Sequence, residues 1–267
     1  FAASLGSINR FEKAYAASWG CPKDIIKRYY NVGVTYSASG MEHSLPQGMK
    51  HRESDVLLLY PTELNYPEEH FGTWMTQYAY CNYITEEKLL QYGRATDDGR
   101  IEVNGYFYRA LVSQYEIFLA PETFDILEKF VRTGGKLIWT GAPALKYEDG
   151  GDCKGRFMAL FGLKDVVSAA QPQFCQGAEI RFRGSLAGIA PMEVPTDMLP
   201  DGLYPAVPGA GEAVAESLSK VLGVRRGNCL YLGFRVRDDQ SQSTGKDVDT
   251  LYRALCAMGA YASDSLE

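Results

Sequence analysis

The chain has 267 residues, a net charge of −6, 46% hydrophobic residues and 22% charged residues, a balance that suits a soluble globular protein able to bury a sizeable core. An acidic surface argues against a nucleic-acid partner, whose phosphates call for basic side chains. No apolar run reaches the roughly 20 residues that a bilayer-crossing helix needs, and the residues from Phe1 onward lack the pattern of a signal peptide, so no membrane partner is expected. The first residue is not methionine, which leads us to expect a piece of a longer chain. Six cysteines with no C-x-x-C spacing read as scattered core thiols, and their even number leaves disulfides open if the protein is exported.

From Ser7 to Tyr30 the spacing of Ile8, Phe11, Tyr15 and Trp19 predicts helix, broken at Gly20-Cys21-Pro22, and Asn31 to Arg52 has no steady period and reads as loop. We take residues 1–54 as a helical extension or linker from a preceding domain, and residues 55–267 as one α/β domain. Asp55 to Pro61 is a continuous apolar run, as expected of a strand buried on both faces. Glu68 to Cys81 carries Phe71, Trp74, Met75 and Tyr78 at helical spacing, a stripe that should face the core. Tyr83-Ile84 is a candidate short strand, and Thr85 followed by two glutamates predicts an N-capped helix to about Tyr92. Asp98-Gly99 and Asn104-Gly105 are tight-turn pairs around Arg100–Val103, which predicts a small β ribbon.

The most regular stretch runs from Tyr106 to Gly141. Phe107–Ser113 reads as a strand. Pro121 opens a helix whose Phe124, Leu127, Phe130 and Val131 share a face, Gly134-Gly135 ends it, and Lys136–Thr140 is the next strand. Strand, helix and strand in that order imply parallel pairing and hence an open α/β sheet. Beyond it, Tyr147–Lys154 is a polar loop and Gly155–Phe161 a short helix, and Asp165–Ser168 and Ala178–Phe182 are candidate strands. Gly188–Gly211 is a Pro- and Gly-rich excursion with little regular structure. Val214–Val224 is moderately apolar and receives no element, Cys229–Phe234 is a strand, and Asp247–Met258 is a closing helix.

Ligands of open α/β sheets sit beyond the carboxyl ends of the strands. Here that edge offers Thr62 and Glu63, then Ser113 and Gln114, then Thr140 and Gly141, then Arg235, Arg237, Asp238 and Asp239. Glu63 with Asp238 or Asp239 is a candidate acid/base pair, although such groups more often cap helices or pair with neighbours such as Arg235 and Arg237. A nucleophile elbow is missing, because the strand ending at Thr140 continues Gly141-Ala142-Pro143-Ala144 with neither Ser nor Cys at the turn. His43, His51 and His70 have no carboxylate or cysteine spacing that supports a metal site. Gly134-Gly135 follows a helix instead of opening one, and Gly150-Gly151 lacks a Walker lysine, so neither forms a phosphate loop. No metal or cofactor is expected. If Tyr66, Trp74 and Tyr106 were exposed they would offer rings for a sugar face, which leaves a sugar-binding module as one alternative and a stand-alone carboxylate hydrolase as another.

The order of pieces carries a resemblance. Asp55-Val-Leu-Leu-Leu-Tyr-Pro61, then Asp98-Gly-Arg-Ile-Glu-Val-Asn-Gly105, Tyr108-Arg-Ala-Leu-Val112, Phe124-Asp-Ile-Leu-Glu-Lys-Phe-Val-Arg-Thr-Gly-Gly-Lys-Leu-Ile138 and Leu230-Tyr-Leu-Gly-Phe-Arg-Val-Arg-Asp-Asp-Gln-Ser241 follow one another at telling spacings. Together they resemble the class I glutamine amidotransferase-like domain attached to large bacterial glycoside hydrolases, as in the trimerisation domain of β-galactosidases. The resemblance covers roughly Asp55 to Tyr261. It implies a flavodoxin-like three-layer αβα sandwich with a mostly parallel sheet, in a module that is not itself catalytic. It further implies a neighbouring catalytic domain in the same chain, with carbohydrate and further copies of the chain as partners. True amidotransferases have a cysteine at the elbow and a downstream His-x-Glu, and this chain has neither, so no catalytic residue carries over.

Overall fold

A computed structural model of the chain describes residues 54–60, 81–173, 177–193, 202–236 and 248–260. The expected helices over Ser7–Tyr30 and Glu68–Cys81, and the loop between Asn31 and Arg52, lie wholly or almost wholly outside those residues. The chain divides into two units, one of residues 1–54 with 75–82 and one of residues 55–74 with 83–267. The architecture below is that of the second unit.

The apolar run after Asp55 forms β1 (Val56–Leu59), and all four of its side chains are at most 1% exposed. A strand shielded on both faces reads as an unbroken apolar run, which is how this one was legible. β2 (Asn82–Ile84) lies beside it, and Thr85 then caps α1 (Glu86–Tyr92), its hydroxyl accepting from the Lys88 amide at 3.4 Å. β3 (Gly93–Ala95), β4 (Ile101–Val103) and β5 (Tyr106–Tyr108) form an antiparallel ribbon of three strands. One face of the ribbon buries Ala95, Ile101 and Tyr108. The other carries Arg94, Glu102 and Phe107, with the Arg100 guanidinium 4.3 Å from the centre of the Phe107 ring.

The single strand expected over Phe107–Ser113 is therefore two strands. Its first part belongs to the ribbon, and the chain changes partner at Arg109, whose amide donates to Asp55 O at 2.8 Å. From there β6 (Ala110–Gln114) enters the main sheet, followed by β7 (Phe118–Leu119) and α2 (Pro121–Arg132). Proline at the first helical position of α2 lacks the amide hydrogen that would have no partner there anyway. The helix buries Phe124, Leu127 and Phe130 and closes as the Gly135 amide returns to Phe130 O at 2.9 Å. β8 (Lys136–Thr140) pairs in parallel with β6, so the predicted strand–helix–strand unit is present.

β9 (Lys146–Tyr147) pairs with β7, and α3 (Lys154–Phe161) leads into β10 (Leu163–Val166), which starts two residues before the expected strand. β11 (Glu179–Phe182) matches the reading. The excursion expected to lack structure contains β12 (Met192–Glu193) and β13 (Ala206–Pro208), the latter antiparallel to β10. The segment left without an element is a hairpin of β14 (Glu212–Ser217) and β15 (Lys220–Arg226). Its turn is Leu218-Ser219, both in the left-handed region at φ of 48° and 62°, without the Asn or Gly that normally announces such a turn. β16 (Cys229–Leu232) and α4 (Val248–Ala257) complete the described chain.

The main sheet has nine strands in the order β12-β11-β14-β15-β16-β8-β6-β1-β2. β1, β6, β8 and β16 run parallel to one another, whereas β15, β14, β11 and β12 continue antiparallel from β16. The expected predominance of parallel pairing thus holds for one half only, since the β14–β15 hairpin reverses direction without a helical crossover. α2 and α3 cover the face bearing Leu57, Leu111, Leu137, Trp139 and Tyr231. Trp139 meets Phe157 edge to face at 5.2 Å between ring centres, and Phe157 meets Tyr231 at 5.7 Å. Full burial of each such ring contributes on the order of 2 to 3 kcal/mol. Val56, Leu58, Val112, Ile138, Leu230 and Leu232, which alternate with them, are 0% exposed, so both faces of the parallel half are shielded.

Candidate functional site

The carboxyl ends of β6, β8 and β16 bring together Ser113, Gln114, Thr140, Gly141 and Arg235, and every side chain among them is buried, with Arg235 the most exposed at 3%. Thr62, Glu63, Arg237, Asp238 and Asp239 fall outside the described residues, so the expected carboxylate pair has no described geometry. Thr140 Oγ1 donates to Ser113 O at 3.3 Å, a tie between neighbouring strands. Among the described residues, Ser113 Oγ and Gln114 Nε2 have no hydrogen-bond partner, yet neither side chain reaches solvent.

The chain leaves β8 through Gly141 at φ of 83°, the left-handed turn that an elbow would use to present a nucleophile. Glycine takes this conformation without a Cβ penalty. A Cβ at that position would stand 2.9 Å from Tyr115 Cδ2, so the space a nucleophile would need is filled by that ring. The Gly141 amide donates to Leu232 O and Phe234 O, both at 2.9 Å, and the Tyr115 amide donates to Thr140 O at 2.8 Å. Both amides at this turn are thus committed within the fold and unavailable as oxyanion donors.

Tyr115 itself follows β6 at φ of 59°, a strained conformation for a ring-bearing residue. Its hydroxyl lies 3.0 Å from that of Tyr204, and the two rings meet edge to face at 6.1 Å. Tyr204 is 0% exposed and belongs to a segment laid over the end of β16. Its amide donates to Gly233 O at 2.7 Å, and its carbonyl accepts from the Tyr231 hydroxyl at 3.0 Å. Gly233 is needed because any Cβ there would overlap Tyr204 O. Burial pushes the Tyr204 and Tyr231 phenols well above the ordinary tyrosine range, so both stay neutral hydrogen-bonding groups. Sequence reasoning missed both Tyr115 and Tyr204. Tyr204 sits in the Pro- and Gly-rich excursion where no periodicity marks a buried residue, and only its aromatic character among small residues hinted at a core role.

Two further concavities are lined by described residues of this unit. A groove of about 640 Å³ runs beside the carboxyl end of β8, between the β7–β9 pair and residues 166–171. Its walls include Ile117, Phe118, Pro143, Leu145 and Val167, with Phe118 41% exposed. Its charged lining is Lys146 and Lys154 against Asp152 and Asp165, with Lys154 Nζ paired to Asp165 at 2.8 Å. The second concavity, about 520 Å³, lies at the amino end of β16 between α2 and α3. There Arg226 donates to Ala159 O, and Asn228 Nδ2 to Gly134 O at 2.9 Å, so these groups satisfy carbonyls at helix ends. Arg156 is held by Glu128 at 2.7 and 2.8 Å and by Asp125 at 2.6 Å.

Cys153 and Cys229 are buried free thiols. Burial raises the Cys153 thiol to about 11 and the Cys229 thiol to about 12, which makes them inert core groups. Among the described residues no group of three His, Cys, Asp or Glu side chains could hold a metal ion.

No protein-family model matches the chain, and no curated protein sequence does. Solved structures do match in fold. A GH42 beta-galactosidase from G. stearothermophilus is 15% identical with a TM-score of 0.52, over 84% of this chain and 33% of that one. A beta-galactosidase from Rahnella sp. R3 is 11% identical with a TM-score of 0.53, over 88% of this chain and 35% of that one. The chain therefore has an α/β fold also found within larger glycoside hydrolases, and it spans about a third of their length.

Proposed function

We propose that this chain is a non-catalytic, amidotransferase-like module of a carbohydrate-active enzyme, in which residues 1–54 connect to a neighbouring domain and residues 55–267 form a flavodoxin-like three-layer sandwich. The module packs against a catalytic domain of the same chain or against further copies, and so supports or bounds a sugar cleft housed elsewhere. The observation that carries this reading is Gly141. An elbow-shaped turn ends β8, but it has no side chain, its amide is spent on Leu232 and Phe234, and Tyr115 occupies the space in front of it. The likeness of fold to a third of two β-galactosidases supports the same reading.

The test is turnover of aryl-glycosides and of glutamine by this chain alone. No turnover above background is expected for either substrate, and robust hydrolysis of one of them overturns the proposal. The groove beside β8 favours a second reading, a sugar-binding module, because it joins an exposed phenyl ring to balanced polar groups in a volume typical of small-ligand sites. Saturable binding of a neutral monosaccharide that Phe118→Ala abolishes would favour that reading over a purely structural role. No helix among the described residues is long and apolar enough to cross a membrane.

A further inference from the structure

One wall of the groove beside the carboxyl end of β8 is built by three segments in register. Phe118 of β7 is the Cα partner of Lys146 of β9. After β9 the chain turns back through Gly150, at a left-handed φ of 88°. The Gly150 amide donates to Tyr147 O at 3.0 Å, and the Tyr147 amide donates to Gly151 O at 2.8 Å. The return lays Asp152 antiparallel beside Lys146. Partners in register carry their side chains on one face, and neighbouring strands lie about 4.8 Å apart. A phenyl ring, an ammonium and a carboxylate therefore stand abreast along the groove, all three exposed.

The charges of the groove are not equally committed. Lys154 Nζ and Asp165 pair with each other at 2.8 Å. Lys146 and Asp152 face each other across their bridge without forming an ion pair, and among the described residues Lys146 Nζ has no partner. Asp152 Oδ1 accepts the Lys154 amide at 3.0 Å, at the start of α3, which holds the carboxylate in place. Its Oδ2 makes no hydrogen bond among the described residues. Ile117, Pro143 and Val167 add apolar surface beside the ring.

We propose that Phe118, Lys146 and Asp152 form a grip for a neutral pyranose that presents a vicinal diol. The apolar C–H face of the sugar stacks on Phe118. One hydroxyl donates to Asp152 Oδ2, and the adjacent hydroxyl accepts from Lys146 Nζ. This rests on the sugar-binding reading of the groove and adds the groups that hold the ligand. A hydroxyl both donates and accepts, so two adjacent ones satisfy a carboxylate and an ammonium at once. A singly charged ligand would instead meet a like charge one strand away. Hydrogen bonds to charged groups are stronger than neutral ones, which offsets the openness of the site.

The experiment is a titration of the full chain with D-glucose, D-galactose and D-mannose, read by saturation-transfer NMR of the sugar protons. It is repeated with Phe118→Ala, Lys146→Met, Asp152→Asn and Lys164→Met. Asp152→Asn keeps an acceptor for the Lys154 amide, and Lys146→Met keeps the apolar stem, so both retain the local fold. Lys164 is an exposed lysine of β10 that does not line the groove and serves as the control. At least one sugar should bind saturably. Phe118→Ala, Lys146→Met and Asp152→Asn should each weaken its binding by about tenfold, and Lys164→Met should leave it unchanged. Binding that Phe118→Ala abolishes but Lys146→Met and Asp152→Asn leave intact overturns the grip while the sugar-binding reading stands. Absence of binding for all three sugars overturns both. An equal loss in Lys164→Met overturns the grip as well.

Discussion

Gly141 and Tyr115 form a coupled pair at the end of the parallel strands. A side chain at residue 141 meets two costs at once, the left-handed φ of 83° and the Tyr115 ring 2.9 Å from the new Cβ. Conformational strain of this kind is worth about 1 to 2 kcal/mol, and the clash adds overpacking of about 1 kcal/mol or more. Gly141→Ala should therefore lose about 2 to 3 kcal/mol of unfolding free energy in urea. A loss below about 0.5 kcal/mol would show that Tyr115 swings aside freely and that the turn has room for a functional side chain. The sequence made this residue legible as the end of a strand without a nucleophile. It did not show that a tyrosine from the adjacent strand fills the vacancy, because contacts between parallel strands join residues far apart in the chain and leave no local pattern.

The helices and buried strands were legible because each carries a periodicity that burial imposes. α2 has its apolar stripe, its proline start and its glycine end, and β1 and β16 are unbroken apolar runs. The β14–β15 hairpin escaped because its turn breaks the usual chemistry. Leu218 and Ser219 both have positive φ, and Leu218 is 64% exposed. Tertiary pairing on both sides of β15 fixes the register and overrides the turn residues. It follows that the turn is locally strained. The double change Leu218→Asn with Ser219→Gly should stabilise the chain by about 1 kcal/mol, because Asn and Gly adopt this turn readily. In a thermal melt, an upward shift of the midpoint is the expected outcome. A downward shift would mean that the Leu218 side chain makes a contact worth more than the strain.

At the scale of the molecule, the nine-stranded sheet joins a parallel half, shielded on both faces, to an antiparallel half built from the hairpin and its neighbours. The parallel half was predictable from the strand–helix–strand spacing. The antiparallel half was not, since its strands are short and lie in the Pro- and Gly-rich region or beside the unmarked turn. The segment around Tyr204 emerges from that region and crosses the end of β16. By donating to Gly233 and accepting from Tyr231, it packs the described end of β16, part of the edge where an open α/β sheet would bind a ligand. This packing is the central physical claim behind the proposed supporting role. Its most direct test is the unfolding free energy of Tyr204→Ala against wild type, by denaturant titration. A fully buried aromatic ring truncated in a packed site should cost about 3 to 5 kcal/mol. A cost below about 1 kcal/mol would mean that the ring covers an open crevice instead of filling a core, and would contradict the account.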